Sequence, residues 1–518
     1  MLLKTEPIML AVEELIERIR TGEIANHDQL EIEKIGIARK YSLNRIIKNA
    51  DILLVAREKS LDNSIMRFLR TKPVRTLSGV ANIAVMWLDK DNIIDGKPFS
   101  CPYKCVYCAL GSNAPKSYIG VEPTTLRAIR NNYDPYLQVR NRLKQLEIIG
   151  HEPQKCELIV MGGTFLAWQK DRQQNFIQRC LDAMNNEDSN NLEEAQTINE
   201  NAEHRCIGLT IETRADYCNQ RDVDWMLRLG ATRVEIGVQS TDDDLLIRTK
   251  RGHGACKNKE AIKLVKDNGL KLCAHWMPGL TGIDRLDLDK ELDLFKELFE
   301  NDQYRPDELK IYPALVIPDT ELHELWMQGK YEPLGVESAI ELLMRMKQII
   351  PPYVRVKRIS RDISEKEISE GAKITNLRQL THIRMKELGV RCSCIRCREI
   401  KNNNAENIEL RKIEYEASDG REFFLSFEDT KNIVAFIRLR LSDRAFVREL
   451  HVYGEQSPVG KKVGYQHASL GRQLLAEAER IATDNNYKRL YVTSGVGVRG
   501  YYRNLGYKLE NPYMVGEL

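Results

Sequence analysis

Three cysteines fall close together in Cys101-Pro-Tyr-Lys-Cys105-Val-Tyr-Cys108. Thiolates at this spacing can ligate three irons of a [4Fe–4S] cube and leave the fourth iron open to a chelating substrate. Zinc is the alternative metal, but a structural zinc takes four ligands, and no fourth cysteine or histidine lies nearby. A second triplet, Cys392-Ser-Cys394-Ile-Arg-Cys397, stands in a basic run and suits zinc, with His382 the candidate fourth ligand. Three free, reduced thiols are the bland reading of that triplet. The other six cysteines are scattered and read as small buried hydrophobes.

Such chemistry needs elements to position it. Six β-rich runs, at 80–87, 156–163, 205–213, 232–240, 270–279 and 308–316, are nearly continuous in apolar residues, as strands covered on both faces should be. Helical patterns separate them, so the sequence predicts an α/β unit with a parallel sheet, most simply a partial (β/α)6 barrel over residues 76–350. In such barrels chemistry collects at the C-terminal ends of the strands. Met161-Gly162-Gly163-Thr164 ends the second run, Glu212-Thr213-Arg214 the third, and Gln239-Ser240 the fourth. Glycine lets backbone approach a ligand closely. A charge ending a buried strand is either functional or one half of a structural ion pair.

Around this core, residues 1–75 read as basic helices, 351–407 as a connector carrying the second triplet, and 408–518 as a small α+β domain. The polar, acidic stretch 185–203 reads as an exposed insertion. No run approaches the roughly 20 apolar residues that span a bilayer, and no secretory signal is evident, so a cytoplasmic protein without membrane association is expected. Twelve cysteines in such a chain argue for metals or thiol chemistry and against disulfides. The formal net charge of +3 is uninformative, but Lys34–Arg75 holds eleven Lys/Arg against three Asp/Glu. That excess is either a solvated helical face or a phosphate-binding surface, and it includes Arg39, Lys40, Arg45, Lys48, Arg70, Lys72 and Arg75.

The first triplet resembles that of the radical S-adenosylmethionine (SAM) superfamily. Gln466-His467-Ala468-Ser469-Leu470-Gly471, lying between a strand ending His451-Val452-Tyr453 and a long amphipathic helix, resembles the pyrophosphate loop of GCN5-related N-acetyltransferases (GNAT). The pairing is joined by the phrases SGVANIAVM (78–86), VMGGTF (160–165), RVEIGVQS (233–240), ELHVYG (449–454) and SGVGVRGYYRNLGY (494–507). Together they are similar to the catalytic subunit of Elongator, in particular its stand-alone archaeal and bacterial relatives, from about residue 30 to the C-terminus.

The resemblance implies a tRNA carboxymethyluridine synthase, an acyl-group transferase acting at carbon 5 of the wobble uridine in the anticodon stem-loop. It would use acetyl-CoA and SAM through a 5′-deoxyadenosyl radical. By that analogy Cys101, Cys105 and Cys108 hold the cluster; Gly162, Gly163, Thr164, Glu212, Arg214 and Gln239 hold SAM; and the N-terminal cations grip tRNA. Lys116 would touch substrate or acetyl-CoA. Glu449, Leu450, His451, Val452, Gln466, His467, Ser469, Leu470, Gly471 and Tyr502 would hold acetyl-CoA, with Tyr501 or Tyr502 at the thioester. Relatives commonly read ETRPD where this chain has Ala215, and glycine where it has Ser469. A Cβ at 469 threatens acetyl-CoA affinity. A homodimer is compatible with the sequence, and accessory subunits are not expected of an archaeal or bacterial chain. Two other functions stay open: protein lysine acetylation, with Glu449 a weak candidate base, and a tRNA-binding scaffold whose acetyl-CoA loop is impaired.

Overall fold

The computed structural model describes the chain apart from residues 1–5, 60–62, 73–75, 77, 95–96, 112, 401–404 and 455–468. Strand β1 (Ala81–Met86) is followed by a hairpin, β2 (Asp89–Ile94) and β3 (Lys97–Phe99). Then β4 (Lys155–Met161), β5 (Arg205–Thr213), β6 (Arg233–Gln239), β7 (Lys271–Trp276), β8 (Glu308–Ile311) and β9 (Arg355–Ile359) join β1 in one sheet. Its order is β1-β4-β5-β6-β7-β8-β9, parallel throughout, and among the described residues β1 and β9 do not pair, so the barrel is partial and open.

Helices cover its outer face for reasons visible in the residues. The helix Gln220–Leu229 starts at a capping box of Asn219 and Asp222 and stops at Gly230, whose φ of +93° suits glycine. It buries Val223, Met226 and Leu227 against the sheet, each worth about 1.5–3 kcal/mol.

Two expectations need correction. The barrel has seven strands, and the seventh, β9, lies in the stretch read as connector. Val356 and Ile359 are buried, while Arg355, Lys357 and Arg358 take carboxylate partners at Glu399, Glu308 and Asp362. Charges that alternate along a strand erase the apolar run by which the others were recognised. The segment 185–203 is not merely an exposed insertion. Asn191 caps a helix, Leu192–Asn199, which buries Leu192, Ala195 and Asn199, and Glu200 beyond it accepts from Arg499 and Arg503 of the C-terminal domain. Its polar residues are caps and ion-pair partners.

At the N-terminus, helices Glu6–Arg20, His27–Lys40, Asn49–Glu58 and Asn63–Leu69 share a core including Leu15, Leu30, Leu53 and Leu69. Among the described residues no helix is long and apolar enough to cross a membrane.

In the C-terminal domain β10 (Glu409–Ala417), β11 (Gly420–Glu428), β12 (Ile433–Leu441) and β13 (Ala445–Val452) run antiparallel. Strand β13 then pairs in parallel with β14 (Arg489–Val492), and β15 (Lys508–Glu510) and β16 (Tyr513–Glu517) complete the order β10-β11-β12-β13-β14-β16-β15. The helix Leu470–Asp484 lays Leu474, Leu475 and Ala478 on this sheet.

Buried ion pairs fasten the two sheets together. Arg448 forks onto Asp307, which precedes β8, at 2.6 and 2.7 Å, and donates to Glu422 at 2.7 Å and to the Leu270 carbonyl at 3.1 Å. Arg438 lies 3.7 Å from Asp307, and Arg440 reaches Asp267 and Glu422. Burial pushes the Asp307 carboxyl up, but the Arg448 and Arg438 guanidiniums beside it win and hold it well below the usual carboxylate range. Breaking one side of such a pair leaves an uncompensated buried charge, at a cost of about 3–5 kcal/mol. Asp307→Asn should therefore lower unfolding stability by that amount in a denaturant titration; a loss under about 1 kcal/mol would contradict the clasp. Because the folded carboxyl titrates low, its stabilisation is present above the unfolded value of about 3.9 and fades as pH falls below it. The variant should lose that part of the acid dependence.

Candidate functional site

The loop after β3 carries the first cysteine triplet to the C-terminal edge of the barrel. There all three cysteines border an open cavity shared with the strand ends at Thr164, Glu212 and Gln239. The loop is braced from below. The Lys116 ammonium donates to the carbonyls of Cys101 and Tyr103 at 2.8 Å each, and the Thr164 hydroxyl donates to Cys101 Sγ at 3.2 Å. Lys116, expected to touch substrate or acetyl-CoA, lines this cavity while its ammonium holds the loop.

Gly162 and Gly163 have φ of +120° and +85°, where side chains are strained. A Cβ would lie 2.8 Å from the Trp87 carbonyl oxygen at Gly162 and 2.7 Å from that of Ser100 at Gly163. Gly162 thus lets the end of β4 press against the end of β1, and Gly163 lets it press against the cysteine loop.

Cys105 is buried between two guanidiniums, with Arg214 Nη1 at 3.6 Å and Arg251 Nη1 at 3.8 Å from its sulfur. The hydrogen bond from the Cys108 thiol, aided by these cations, overcomes burial and holds the Cys105 thiol at about 4. Thiolates are the metal-ligating form, so the donor set fits an iron–sulfur cluster. Arg214 is also gripped by Asp216 at 2.9 Å and stacked on Tyr103 at 3.7 Å.

Deeper in the cavity the barrel interior is ionic. Lys310 donates to Glu212 at 3.0 Å and pairs with Glu235, which also meets His275 Nε2 at 2.9 Å. Gln239 sits at φ +69° with its amide oxygen buried and unpartnered among the described residues, an acceptor that a ligand in the cavity could satisfy. Sequence reasoning selected Glu212 but missed Lys310, His275 and Tyr312. The first two were legible by the same signal, a charged or polar side chain within an apolar strand. Arg251 gave no signal, because it lies in a turn 146 residues from the cysteine it faces.

The acetyltransferase cleft follows from where pairing stops. Strand β13 pairs with β14 only over Ala445–Val447, and a bulge opposite Arg438 and Leu439 sets Arg448 apart. Among the described strands β13 pairs beyond this point with β12 alone, so its other edge can accept an extended ligand arm by backbone hydrogen bonds. Leu450 and Val452 pack on the side of the helix Leu470–Asp484. Glu449 and His451 face the barrel instead. Glu449 pairs with Arg438 at 2.9 Å and Lys271 at 3.6 Å. Against the upward push of burial, the Lys271 and Arg438 cations hold its carboxyl at about 2. Burial pushes the His451 imidazole down to about 4, so it is neutral at physiological pH.

Ser469 adopts φ +66° just before the helix, in the left-handed region that favours glycine. Its hydroxyl accepts from the Gln473 amide at 3.0 Å. Gly471 faces Tyr501: a Cβ there would lie 3.4 Å from the tyrosine hydroxyl and 3.6 Å from Val452. Tyr501 is 38% exposed, whereas Tyr502, at 6%, packs in the domain core beside Tyr507. Of the two tyrosines, Tyr501 is the one whose hydroxyl reaches Gly471, while Tyr502 is buried.

In the connector the donor atoms of Cys392, Cys394 and Cys397 lie within 4.8 Å of one another, and His382 Nε2 is 3.9 Å from Cys397 Sγ. Three sulfurs and an imidazole in reach suit four-coordinate zinc. In the N-terminal region Arg39, Lys48 and Lys72 are exposed. Lys40 is tied to Glu14 at 2.7 Å, Arg45 to Asp51 at 2.6 Å, and Arg70 donates to the Gly150 carbonyl. Arg75, Gln466 and His467 lie outside the described residues.

Family models match in the order the structure presents. An ELP3 N-terminal domain covers residues 8–77, the radical SAM superfamily 99–295, a radical SAM C-terminal domain 306–387, and the acetyltransferase (GNAT) family 392–507. The chain is 44% identical to the tRNA uridine(34) acetyltransferase of Methanocaldococcus jannaschii, over 99% of this chain and 98% of that protein. It is 40% identical to Elongator complex protein 3 of Homo sapiens, over 98% and 97%. The solved structure of Methanocaldococcus infernus Elp3 with an N-terminal deletion superposes with a TM-score of 0.74 at 43% identity, over 85% of this chain and all of that one. With one barrel, one acetyltransferase sheet and likeness along the whole length, the chain belongs to the Elongator complex protein 3 (Elp3) family.

Proposed function

We propose that this chain is a tRNA-modifying enzyme that installs a carboxymethyl group at carbon 5 of the wobble uridine, using SAM and acetyl-CoA. The observation that carries the reading is one cavity in which a braced cysteine triplet meets the polar ends of β4, β5 and β6, in a chain whose acetyltransferase sheet is clasped to the same barrel. When bound, a [4Fe–4S] cluster with SAM supplies a 5′-deoxyadenosyl radical. The residues have separate tasks. Cys101, Cys105 and Cys108 would ligate the cluster, while Lys116 and Thr164 fix their loop. Glu212 and the unpartnered Gln239 oxygen offer acceptors to SAM, and Lys310 keeps Glu212 oriented. Arg358 and Arg361 on the cavity wall suit the phosphates of an extruded nucleotide. Exposed Arg39, Lys48 and Lys72 suit the tRNA backbone without reading sequence. The free edge of β13, the start of the helix Leu470–Asp484 and Tyr501 would hold acetyl-CoA, and the connector triplet with His382 would hold zinc.

The alternatives lose support. A lysine acetyltransferase needs a base titrating near neutrality, and Glu449, ion-paired and held at about 2, faces the barrel floor. A scaffold with a degraded acetyl-CoA loop was suggested by Ser469, yet that residue keeps a left-handed backbone of the kind that favours glycine.

Three outcomes are expected. Anaerobic incubation with tRNA, SAM, acetyl-CoA and a reductant should yield 5′-deoxyadenosine and 5-carboxymethyluridine by mass spectrometry, and Cys105→Ala should abolish both. A reconstituted wild-type enzyme that makes no 5′-deoxyadenosine would end the radical reading. Ser469→Gly should bind acetyl-CoA by calorimetry as tightly as wild type or more so, since it relieves a left-handed conformation costing about 1–2 kcal/mol; a tenfold weakening would show the hydroxyl to be a ligand contact. Metal analysis should find one zinc per chain that is lost in Cys394→Ser, and a native protein free of zinc would refute the connector site.

A further inference from the structure

Arg251 is a buried cation, 5% exposed, with no carboxylate partner among the described residues. Its Nη2 donates to the Gly237 carbonyl at 2.6 Å, its Nη1 points to Cys105 Sγ at 3.8 Å, and its Nε has no partner among the described residues. Arg214, the other guanidinium at Cys105, is neutralised by Asp216 and donates to the Arg251 carbonyl, so it braces the turn that carries Arg251. The seat is built for this side chain. A Cβ on Gly237 would lie 2.6 Å from Arg251 Nη2, so the glycine in β6 leaves the notch the guanidinium fills. A charge removed from water without a counter-ion is among the costliest arrangements a fold can hold. The anion facing this one is the Cys105 sulfur.

We propose that Arg251 is the fixed counter-charge of the iron–sulfur cluster, a positioning residue that acts through Cys105 to raise the cluster's reduction potential. The inference rests on the reading that Cys101, Cys105 and Cys108 hold a [4Fe–4S] cluster. Reduction brings one electron from an external donor and adds one negative charge to the cluster. A cation held nearby in a region of low dielectric favours that reduced state. Protein dipoles, hydrogen bonds to sulfur and net charge are the levers that set such potentials.

The test is a dithionite titration of the anaerobically reconstituted full-length protein, read by electron paramagnetic resonance alongside iron content. It compares wild type with Arg251→Gln, Arg251→Lys and Gly237→Ala. Arg251→Lys should stay near the wild-type midpoint, because the charge remains. Arg251→Gln should shift to more negative potential, with the reduced-to-oxidised ratio at the wild-type midpoint falling at least tenfold, which is about 59 mV for one electron. Gly237→Ala, whose Cβ would fall 2.6 Å from Arg251 Nη2 and so force the guanidinium to move, should shift the same way. Full iron with an unmoved midpoint in either Arg251→Gln or Gly237→Ala would overturn the proposal. Should both fail to retain iron while Arg251→Lys retains it, the charge requirement stands; should Arg251→Lys fail as well, the residue serves packing and the proposal falls. A wild-type protein that takes up no [4Fe–4S] cluster would instead overturn the underlying reading of the cysteine triplet.

Discussion

A charge taken out of water must meet an opposite charge, and that constraint governs this chain from one end of the barrel to the other. The half-barrel is lined with ions. Glu212, Lys310 and Glu235 lie toward the cysteine edge, Arg233 spans Glu157, Glu235 and Glu308 below them, and Arg448 and Asp307 close the floor. Each layer completes the pairing of its neighbour. The interior stays polar and open enough for a cavity at one end, while the other end is sealed by a second sheet that brings its own arginines.

This arrangement explains why β13 is so constrained. Its alternate residues answer to different neighbours: Leu450 and Val452 to the helix that would carry the pyrophosphate, Glu449 and His451 to the barrel. Its backbone edge is left for a ligand. Strand, helix and floor are set by one register, so the acetyl-CoA cleft and the barrel keep a fixed relation without a dedicated linker to hold it.

What the sequence disclosed, and what it hid, follows from the range of the forces involved. Ligand triplets are local, so both were legible as spacing. Strands covered on both faces are apolar runs, and six were found in that way. Strand β9 escaped because Arg355, Lys357 and Arg358 interrupt Val356 and Ile359, and the partners of Arg355 and Lys357 lie on distant elements. The helix Leu192–Asn199 escaped because its polar residues are caps and ion-pair partners that look like solvation until their contacts are seen. Tyr501 and Tyr502 are adjacent in sequence, and only the phase of their short helix sends one to the cleft and the other to the core. Arg251 was beyond reach, since nothing local distinguishes an arginine that will be buried from one that will be solvated.

The ion clasp also bears on how such a chain can change over evolutionary time. Acetyltransferase domains are often treated as interchangeable modules, but this one cannot be exchanged without cost to its host. Replacing it with a domain lacking arginines at the places of Arg438 and Arg448 would strand the buried Asp307 under a foreign surface. The two halves can therefore be inherited, duplicated or lost together far more readily than they can be recombined, and each holds the other to its ancestral pattern of charge.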